Sequence, residues 1–172
     1  MKIALTGVDP GIVDTGLVRI NLDSDKREWA VHAQVFHRMV NHNEDKVYVD
    51  EQALLVMSVV AGATLAGVEG YRPRGRNMIQ DRMMTTLVQR IGRIQEFQVE
   101  DNTGIRQVVT NHTLRLFKVD RFDLPTNHAD LKSAARVALM RGYRDDAANE
   151  VICQFFEDML YPEGTPWQLV SM

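Results

Sequence analysis

The 172-residue chain contains a single cysteine, Cys153. One cysteine cannot form an internal disulfide bond, which agrees with a reducing compartment and leads us to expect a cytoplasmic protein. The residues around it, Val151, Ile152 and Phe155, are apolar, so Cys153 is predicted to belong to the core. The histidines show none of the His/Cys spacing that zinc sites require.

The sequence also lacks any apolar run close to the roughly 20 residues that a membrane span needs. Its N-terminus lacks the basic and apolar pattern of a secretory signal. Positive charge is not in excess, since the formal net charge is −3 and the pI is about 5.9. Binding to nucleic acid through overall charge is therefore excluded, and any such binding requires a local basic patch.

Hydrophobic periodicity predicts one mixed α/β domain over residues 1–160, followed by an irregular tail over 161–172. The predicted strands cover residues 2–8, 17–22, 28–36, 65–69 and 105–110. The predicted helices cover residues 50–61, 77–97, 130–141 and 145–159. Residues 111–123 fit either a short helix or a loop. The first three strands form an antiparallel meander, and the helices are expected to pack on the faces of the sheet.

Three carboxylates occupy informative positions in this pattern. Asp9 ends the first strand, Glu69 ends the fourth, and Asp130 opens an alanine-rich helix. A carboxylate beside an apolar core is costly unless a positive charge neutralises it. If the fold brings the three together, their repulsion favours a divalent cation. The pattern therefore predicts an acidic metal site, and with it a nuclease.

Asp9 lies in the motif Val8-Asp9-Pro10-Gly11-x-x-x-Thr15-Gly16. The proline restricts φ and the glycine relaxes the backbone, so the strand is expected to turn back directly after Asp9. With Val68-Glu69 and the helix that begins at Asp130, this motif resembles the RuvC-type Holliday junction resolvases. The resemblance spans residues 1–142 and implies a ribonuclease H-like, mixed five-stranded sheet flanked by helices.

In that family the opening strand carries the first metal ligand, and a Glu at the end of the fourth strand carries the second. The resemblance therefore implies that Asp9, Glu69 and Asp130 bind two Mg²⁺ ions, with Mn²⁺ as a possible substitute, and that Asp9 is shared between them. Two such ions, roughly 3.5–4 Å apart, stabilise the attacking and the leaving oxygen of a phosphodiester. The implied activity is cleavage of branched DNA, most naturally of four-way junctions.

Cutting two strands symmetrically implies a homodimer, which we expect to form through the helix predicted over 77–97. The short chain and its divergent helix motif favour a phage or mobile-element origin. Tyr71 follows Glu69 and is expected at the rim of the site, where it would stack on opened bases. The basic residues Arg72, Arg74 and Arg76 would bind phosphates along the arms of the DNA, although such a cluster can also be a solvated loop.

Ser133 departs from the family pattern, because a second Asp usually stands there, one helical turn after the first. A hydroxyl is a poor Mg²⁺ ligand compared with a carboxylate. Either the site lacks one charge, or His128 substitutes as a ligand or as a general base, with Asp14 in reserve. His128 near a helix start can equally be a capping or surface residue. Lys132 could steady transition-state charge or be solvated.

Two alternatives to a resolvase remain open. Ser133 leaves room for a non-catalytic or regulatory nucleic-acid-binding protein of the same fold. The Asp-x-Gly-x-x-x-Thr-Gly pattern also occurs in phosphate-handling domains of the actin and sugar-kinase type. Those proteins need two such domains, and this chain is too short for both.

Overall fold

The computed structural model of the protein describes residues 1–37, 55–56, 65–93, 97–101, 103–122 and 128–171. The strands in these ranges are β1 (Lys2–Asp9), β2 (Asp14–Asp23), β3 (Glu28–His37), β4 (Leu65–Glu69), β5 (Phe97–Glu100) and β6 (Gln168–Leu169). The helices are α1 (Met78–Gly92), α2 (Ile105–Val108), α3 (Asn111–Leu116), α4 (His128–Tyr143) and α5 (Asp146–Leu160).

The strands form one mixed sheet in the order β5-β4-β1-β2-β3-β6. The first three are an antiparallel meander, as predicted, while β4 pairs in parallel with β1 and β5 pairs in parallel with β4. Because β1, β4 and β5 run in the same direction, their carboxyl ends meet at one end of the sheet. Those ends carry Asp9, Glu69 and Glu100.

Helix α4 lies directly on one face of the sheet, across β1, β2 and β4. Two glycines allow this close approach. A Cβ atom at Gly7 would lie 1.9 Å from the carbonyl oxygen of Ala134, and one at Gly16 would lie 2.7 Å from the carbonyl oxygen of Asp130. Glycine is therefore required where this helix meets the strands, and the contact at Gly16 fixes the position of Asp130.

The core on this face continues into an aromatic cluster. Phe117 and Phe155 stack with their ring centroids 4.4 Å apart, and Trp29 and Trp167 meet the Phe155 ring edge-on. The Trp167 indole donates a hydrogen bond to Asp158 Oδ2 at 2.8 Å. The segment predicted as an irregular tail thus contributes a buried side chain. It also contributes β6, which pairs in parallel with β3 and gives the sheet a sixth strand.

Helix α1 covers the other face near the carboxyl ends of the strands, where Leu87 and Ile91 pack with Val8, Leu17 and Val68. It ends at Gly92 rather than at the predicted residue 97, where β5 begins. Of the helix predicted over 50–61, residues 55–56 are helical, and the rest lies outside the described residues.

The strand predicted over 105–110 is wrong, because this stretch begins with the short helix α2. Ile105 and Val109 are buried while the three residues between them are exposed, which is a helical spacing of four. The fifth strand is instead β5. The next segment, for which the sequence fits either a short helix or a loop, contains the short helix α3.

Cys153 was predicted to be a core residue and is exposed. It lies on α5, where the helical turn places Val151, Ile152 and Phe155 in the core and points Cys153 outward. None of the helices in the described ranges combines the length and apolarity needed to cross a membrane.

Candidate metal centre

The site predicted from the sequence begins with two strand ends that lie side by side. Val8 and Val68 are paired in register, so Asp9 and Glu69, which follow them, leave the sheet together. They line a cavity of about 490 Å³. Its other lining side chains include Tyr71, Arg72 and Ser133. Strand pairing alone therefore brings two acids, separated by 60 residues in sequence, into one opening.

Ser133 joins the two acids. Its hydroxyl Oγ donates a hydrogen bond to Glu69 Oε2 at 2.7 Å. The Asp9 carboxyl lies within hydrogen-bonding reach of both Ser133 and Glu69. The residue that departs from the family pattern thus lies between the two carboxylates, as a donor instead of as a further charge.

The electrostatics of the pair show how strongly it favours a positive partner. Burial, followed by the charge of Glu69, raises the pKa of Asp9 to about 9, and Asp130 adds to the rise. A carboxyl group with such a pKa carries a proton at neutral pH. In the metal-free protein, therefore, Asp9 is neutralised by a proton, which a cation can displace.

Asp130 is close to this pair without joining it. Burial raises its pKa, and the charges of Asp14 and Glu69 raise it further. Within the described ranges, no three His, Cys, Asp or Glu side chains are grouped closely enough to hold one metal ion. The structure thus brings Asp9 and Glu69 into contact, whereas Asp130 reaches them only through its electrostatic field.

The donor set fits a hard divalent cation, because Mg²⁺ and Mn²⁺ prefer carboxylate oxygens. Asp9 and Glu69 are the residues that would hold such an ion, and Asp130 supplies further negative charge nearby. Ser133 would fix the second Glu69 oxygen. The number of ions and the role of Asp130 as a ligand stay predictions.

Asp14 and His128, the two residues predicted as substitutes for the missing acid, lie in different settings. Asp14 begins β2 and His37 ends β3, and His37 Nδ1 lies 2.6 Å from Asp14 Oδ1. The charge of Asp14 acts on Asp130, so Asp14 lies near the acidic cluster. The backbone of His128 begins α4, and its side chain lies outside the described residues. Its role as ligand or base stays a prediction.

A third acid at the same end of the sheet already has partners. Glu100 is buried at the end of β5, forms an ion pair with Arg144, and is also close to the positive charge of Arg141. The pKa of Glu100 is still raised, because burial outweighs the two arginines. Because Glu100 is already paired with an arginine, its role is structural, and it is a poor candidate for a metal ligand.

The loop between β4 and α1 is held by Asp81, which the sequence analysis did not single out. The Tyr71 hydroxyl donates to this carboxylate. The backbone N–H groups of Arg74 and Gly75 donate to it as well, at 3.3 and 2.8 Å. One acid in the first turn of α1 therefore orders the loop that carries the predicted DNA-binding residues.

The predicted phosphate-binding arginines differ in their surroundings. Arg72 forms a two-pronged ion pair with Asp101, at 3.0 and 2.8 Å. Arg74 lines the cavity of Asp9 and Glu69, and Arg76 lines the adjoining groove beside Asn77. Since an exposed ion pair contributes little to stability, a phosphate could replace Asp101 at Arg72 at little cost.

The raised pKa of Asp9 predicts how the stability of the metal-free protein depends on pH. Between pH 4 and 9 the native state holds a proton on Asp9 that the unfolded chain releases. The free energy of unfolding must therefore fall as the pH rises through this window, and the raised pKa of Asp130 acts in the same direction. We expect a loss of about 2–4 kcal/mol between pH 5 and 9, measured by urea unfolding in EDTA.

Saturating Mn²⁺ or Mg²⁺ should flatten this pH dependence, because a cation replaces the proton. The variant Asp9→Asn provides the control, since it removes the titrating group and should show a clearly smaller slope in EDTA. A wild-type slope that is flat, or that matches the variant, would contradict the assignment of Asp9 as the buried acid.

Comparison with solved structures shows a ribonuclease H-like fold, so the predicted fold class is confirmed. The chain is similar to Thermus thermophilus RuvC in complex with Holliday junction substrate, with a TM-score of 0.58 and 14% identity, over 91% of this chain and 96% of that one. A second Thermus thermophilus RuvC structure gives a TM-score of 0.56 and 15% identity over the same shares.

The nuclease domain of the large terminase g2p from bacteriophage SPP1, with bound Mn, gives a TM-score of 0.44 and 14% identity, over 81% of this chain and 86% of that one. Neither the models of protein families nor the curated proteins gave a match. At these identities the likeness to known structures defines the fold of the chain.

Proposed function

We propose that the protein is a metal-dependent endonuclease that hydrolyses phosphodiester bonds in branched DNA, with four-way junctions as its main substrate. The observation that carries the proposal is the contact between Asp9 and Glu69 in an open cavity at the ends of two parallel strands. A pair of partly buried acids is costly to keep without a cation. The cavity also includes Arg74, which suits an anionic substrate.

Hydrolysis of a phosphodiester requires an attacking water, stabilisation of charge on the phosphate, and a leaving oxygen that departs as its bond to phosphorus breaks. Divalent ions, when bound, supply Lewis-acid stabilisation of that charge. Asp9 and Glu69 would hold the ions, Ser133 would orient Glu69, and Asp130 would add negative charge nearby. His128 is our candidate for the base that accepts the proton of the water.

The proposal includes a homodimer, because resolution of a four-way junction needs two cuts. Helix α1 is the proposed contact, and its exposed first residues Met78 and Ile79 support this choice, at 83% and 61% exposure. Tyr71 would stack on opened bases, and Arg72, Arg74 and Arg76 would contact phosphates. We further propose a cytoplasmic, phage-type enzyme.

The test is a panel of labelled four-way junctions, flaps and linear duplexes of equal length, each incubated with EDTA, Mg²⁺ or Mn²⁺. We expect metal-dependent cleavage of the junction at least about 10-fold faster than of the duplex, because opened strands at a branch fit the cavity without unpairing, which costs a few kcal/mol in an intact duplex. If duplex and junction are cleaved at equal rates, the preference for junctions is rejected and the assignment as a nuclease is kept.

A second candidate is a non-catalytic protein that binds branched DNA. Two observations favour it: Ser133 replaces an expected acid, and the described residues include no three-carboxylate group that could hold one ion. The same panel separates the candidates, because this protein would retard junctions in gel-shift assays and leave them uncut with either metal.

A further inference from the structure

A second cavity, of about 320 Å³, opens beside the first half of α4. It is lined by Arg106, Asn111, Ala129, Lys132 and Arg136. Three of these five residues are cations and none is an acid. In a protein with a net charge of −3, this is a local concentration of positive charge that composition could not reveal.

The basic pocket adjoins the carboxylates. Lys132 and Arg136 are four residues apart on α4 and share one stripe of the helix. Ser133, which bonds to Glu69, follows Lys132 directly and lies on the neighbouring stripe. At 1.5 Å per residue, Arg136 is about 4.5 Å further along the helix axis than Ser133.

The guanidinium of Arg136 is held in place by neutral acceptors. Its Nη2 donates to Asn111 Oδ1 at 2.7 Å, and its Nε donates to the Val109 carbonyl oxygen at 3.3 Å. Arginine has five N–H donors, so three remain after these two bonds. The side chain is thus fixed in position and still able to bind an anion with a planar pair of donors.

The three cations lie close together, and among the described residues none of them forms an ion pair. Burial, and then the charge of Arg106, lower the pKa of Arg136, and the charge of Glu69 opposes them in part. Arg106 and Arg136 line the same pocket. Lys132 and Arg136 are like charges at positions i and i+4 of one helix, a spacing at which their repulsion destabilises the helix. Glu69 offsets this repulsion only in part, and an anion bound in the pocket would relieve the rest.

We propose that Arg106, Lys132 and Arg136 form a phosphate subsite that binds a backbone phosphate of the DNA other than the one that is cleaved. The proposal rests on the proposed function for the identity of the substrate. A strand that places one phosphate at Asp9 and Glu69 runs past α4, where this pocket receives another. The contact would fix the position of the DNA strand along α4, and it would not depend on the DNA sequence.

The test measures binding of a four-way junction by fluorescence anisotropy over a range of salt concentrations, with Asp9→Asn as the background so that the DNA stays intact. Adding Arg136→Gln should weaken binding at least about 5-fold at low salt. It should also reduce the slope of log K against log salt by about 0.7–0.9, because one phosphate fewer is neutralised by the protein. Adding Lys132→Gln should act in the same direction.

Lys26→Gln is the matched control, because it removes the same charge from the exposed turn at the opposite end of the sheet. It should leave the slope unchanged. If Arg136→Gln unfolds at a lower temperature, Lys132→Gln still decides the question, since the Lys132 side chain makes none of the hydrogen bonds found in the described structure. Slopes equal to that of Lys26→Gln in both pocket variants would overturn the subsite.

The outcomes separate this subsite from the enzyme proposal. Wild-type protein that binds junctions with the pocket-dependent slope and never cleaves them would support the subsite and reject the nuclease. Cleavage with an unchanged slope in the pocket variants would reject the subsite and keep the nuclease. Protein that binds no DNA at any salt concentration would reject both.

Discussion

Replacement of Asp9 by Asn should lower junction cleavage by about 10³-fold or more, since metal-assisted charge stabilisation contributes several kcal/mol to the transition state. The same variant should be more stable than the wild type in EDTA at pH 8, by about 2–4 kcal/mol, because Asn needs no proton to enter the buried site. Loss of activity together with a gain in metal-free stability is expected for a buried metal ligand. A variant that merely misfolds would lose stability as well as activity.

Three measurements check this result: cleavage rate with Mg²⁺ or Mn²⁺, urea unfolding in EDTA, and the rise in Tm on adding metal. The rise in Tm should almost vanish in Asp9→Asn, because a ligand stabilises only the state that binds it. Asp25→Asn is the control, since Asp25 is exposed in the turn between β2 and β3. A variant with wild-type cleavage would remove Asp9 from the mechanism.

The second large effect concerns Ser133. Ser133→Asp removes the donor to Glu69 Oε2 and adds a negative charge between two acids. In EDTA at pH 8 we expect a loss of about 2–4 kcal/mol, because a further buried charge has no partner there. With Mn²⁺ or Mg²⁺ we expect the opposite, a rise in Tm larger than in the wild type, because the new carboxylate is a better ligand than a hydroxyl.

Ser133→Ala separates the added charge from the missing hydrogen bond. It should cost only about 1 kcal/mol and leave the response to metal near that of the wild type. If Ser133→Asp responds to metal no more than Ser133→Ala does, residue 133 faces away from the ion. If Ser133→Asp cleaves junctions and the wild type does not, the natural protein is the non-catalytic candidate.

Sequence alone located the parts of the candidate site that depend on local pattern. Asp9 and Glu69 each end an apolar stretch, and parallel pairing of such stretches places their ends together. The positions of Ser133 and Asp130 follow from a recognisable helix start. The signal for the close contact of α4 with the sheet was also present, because a glycine inside a strand, here Gly7, often marks the approach of another backbone.

The two strands that local sequence pattern does not predict, β5 and β6, depend on contacts between residues that are distant in the sequence. Phe97 continues the three- and four-residue spacing of Ile91 and Ile94, so local pattern favours a longer helix. Only pairing with β4 makes Phe97–Glu100 a strand. In the same way, the two residues of β6 are a strand only because β3 lies beside them.

Charge partners were equally hidden from the sequence. Arg72 meets Asp101, 29 residues later, and Tyr71 meets Asp81. In the sequence, Arg136 is a single arginine on an alanine-rich helix, a pattern that does not distinguish it from an ordinary solvated residue. Its neighbour Arg106 comes from α2, a stretch that was predicted to be a strand. The basic pocket therefore appears only when the helices are in place.

The glycine contact beneath α4 makes the acidic cluster unusually sensitive to repacking of the core. Backbone touches backbone at Gly7 and Gly16, with no flexible side chain between them to absorb a shift. Enlarging a neighbour such as Ala138 would tilt the whole helix, and with it Ser133 and Asp130. Directed evolution for higher thermal stability should therefore avoid substitutions at the contact between α4 and the two glycines. Substitutions in the aromatic cluster should be tolerated better, because a shift of those rings does not move the acidic residues.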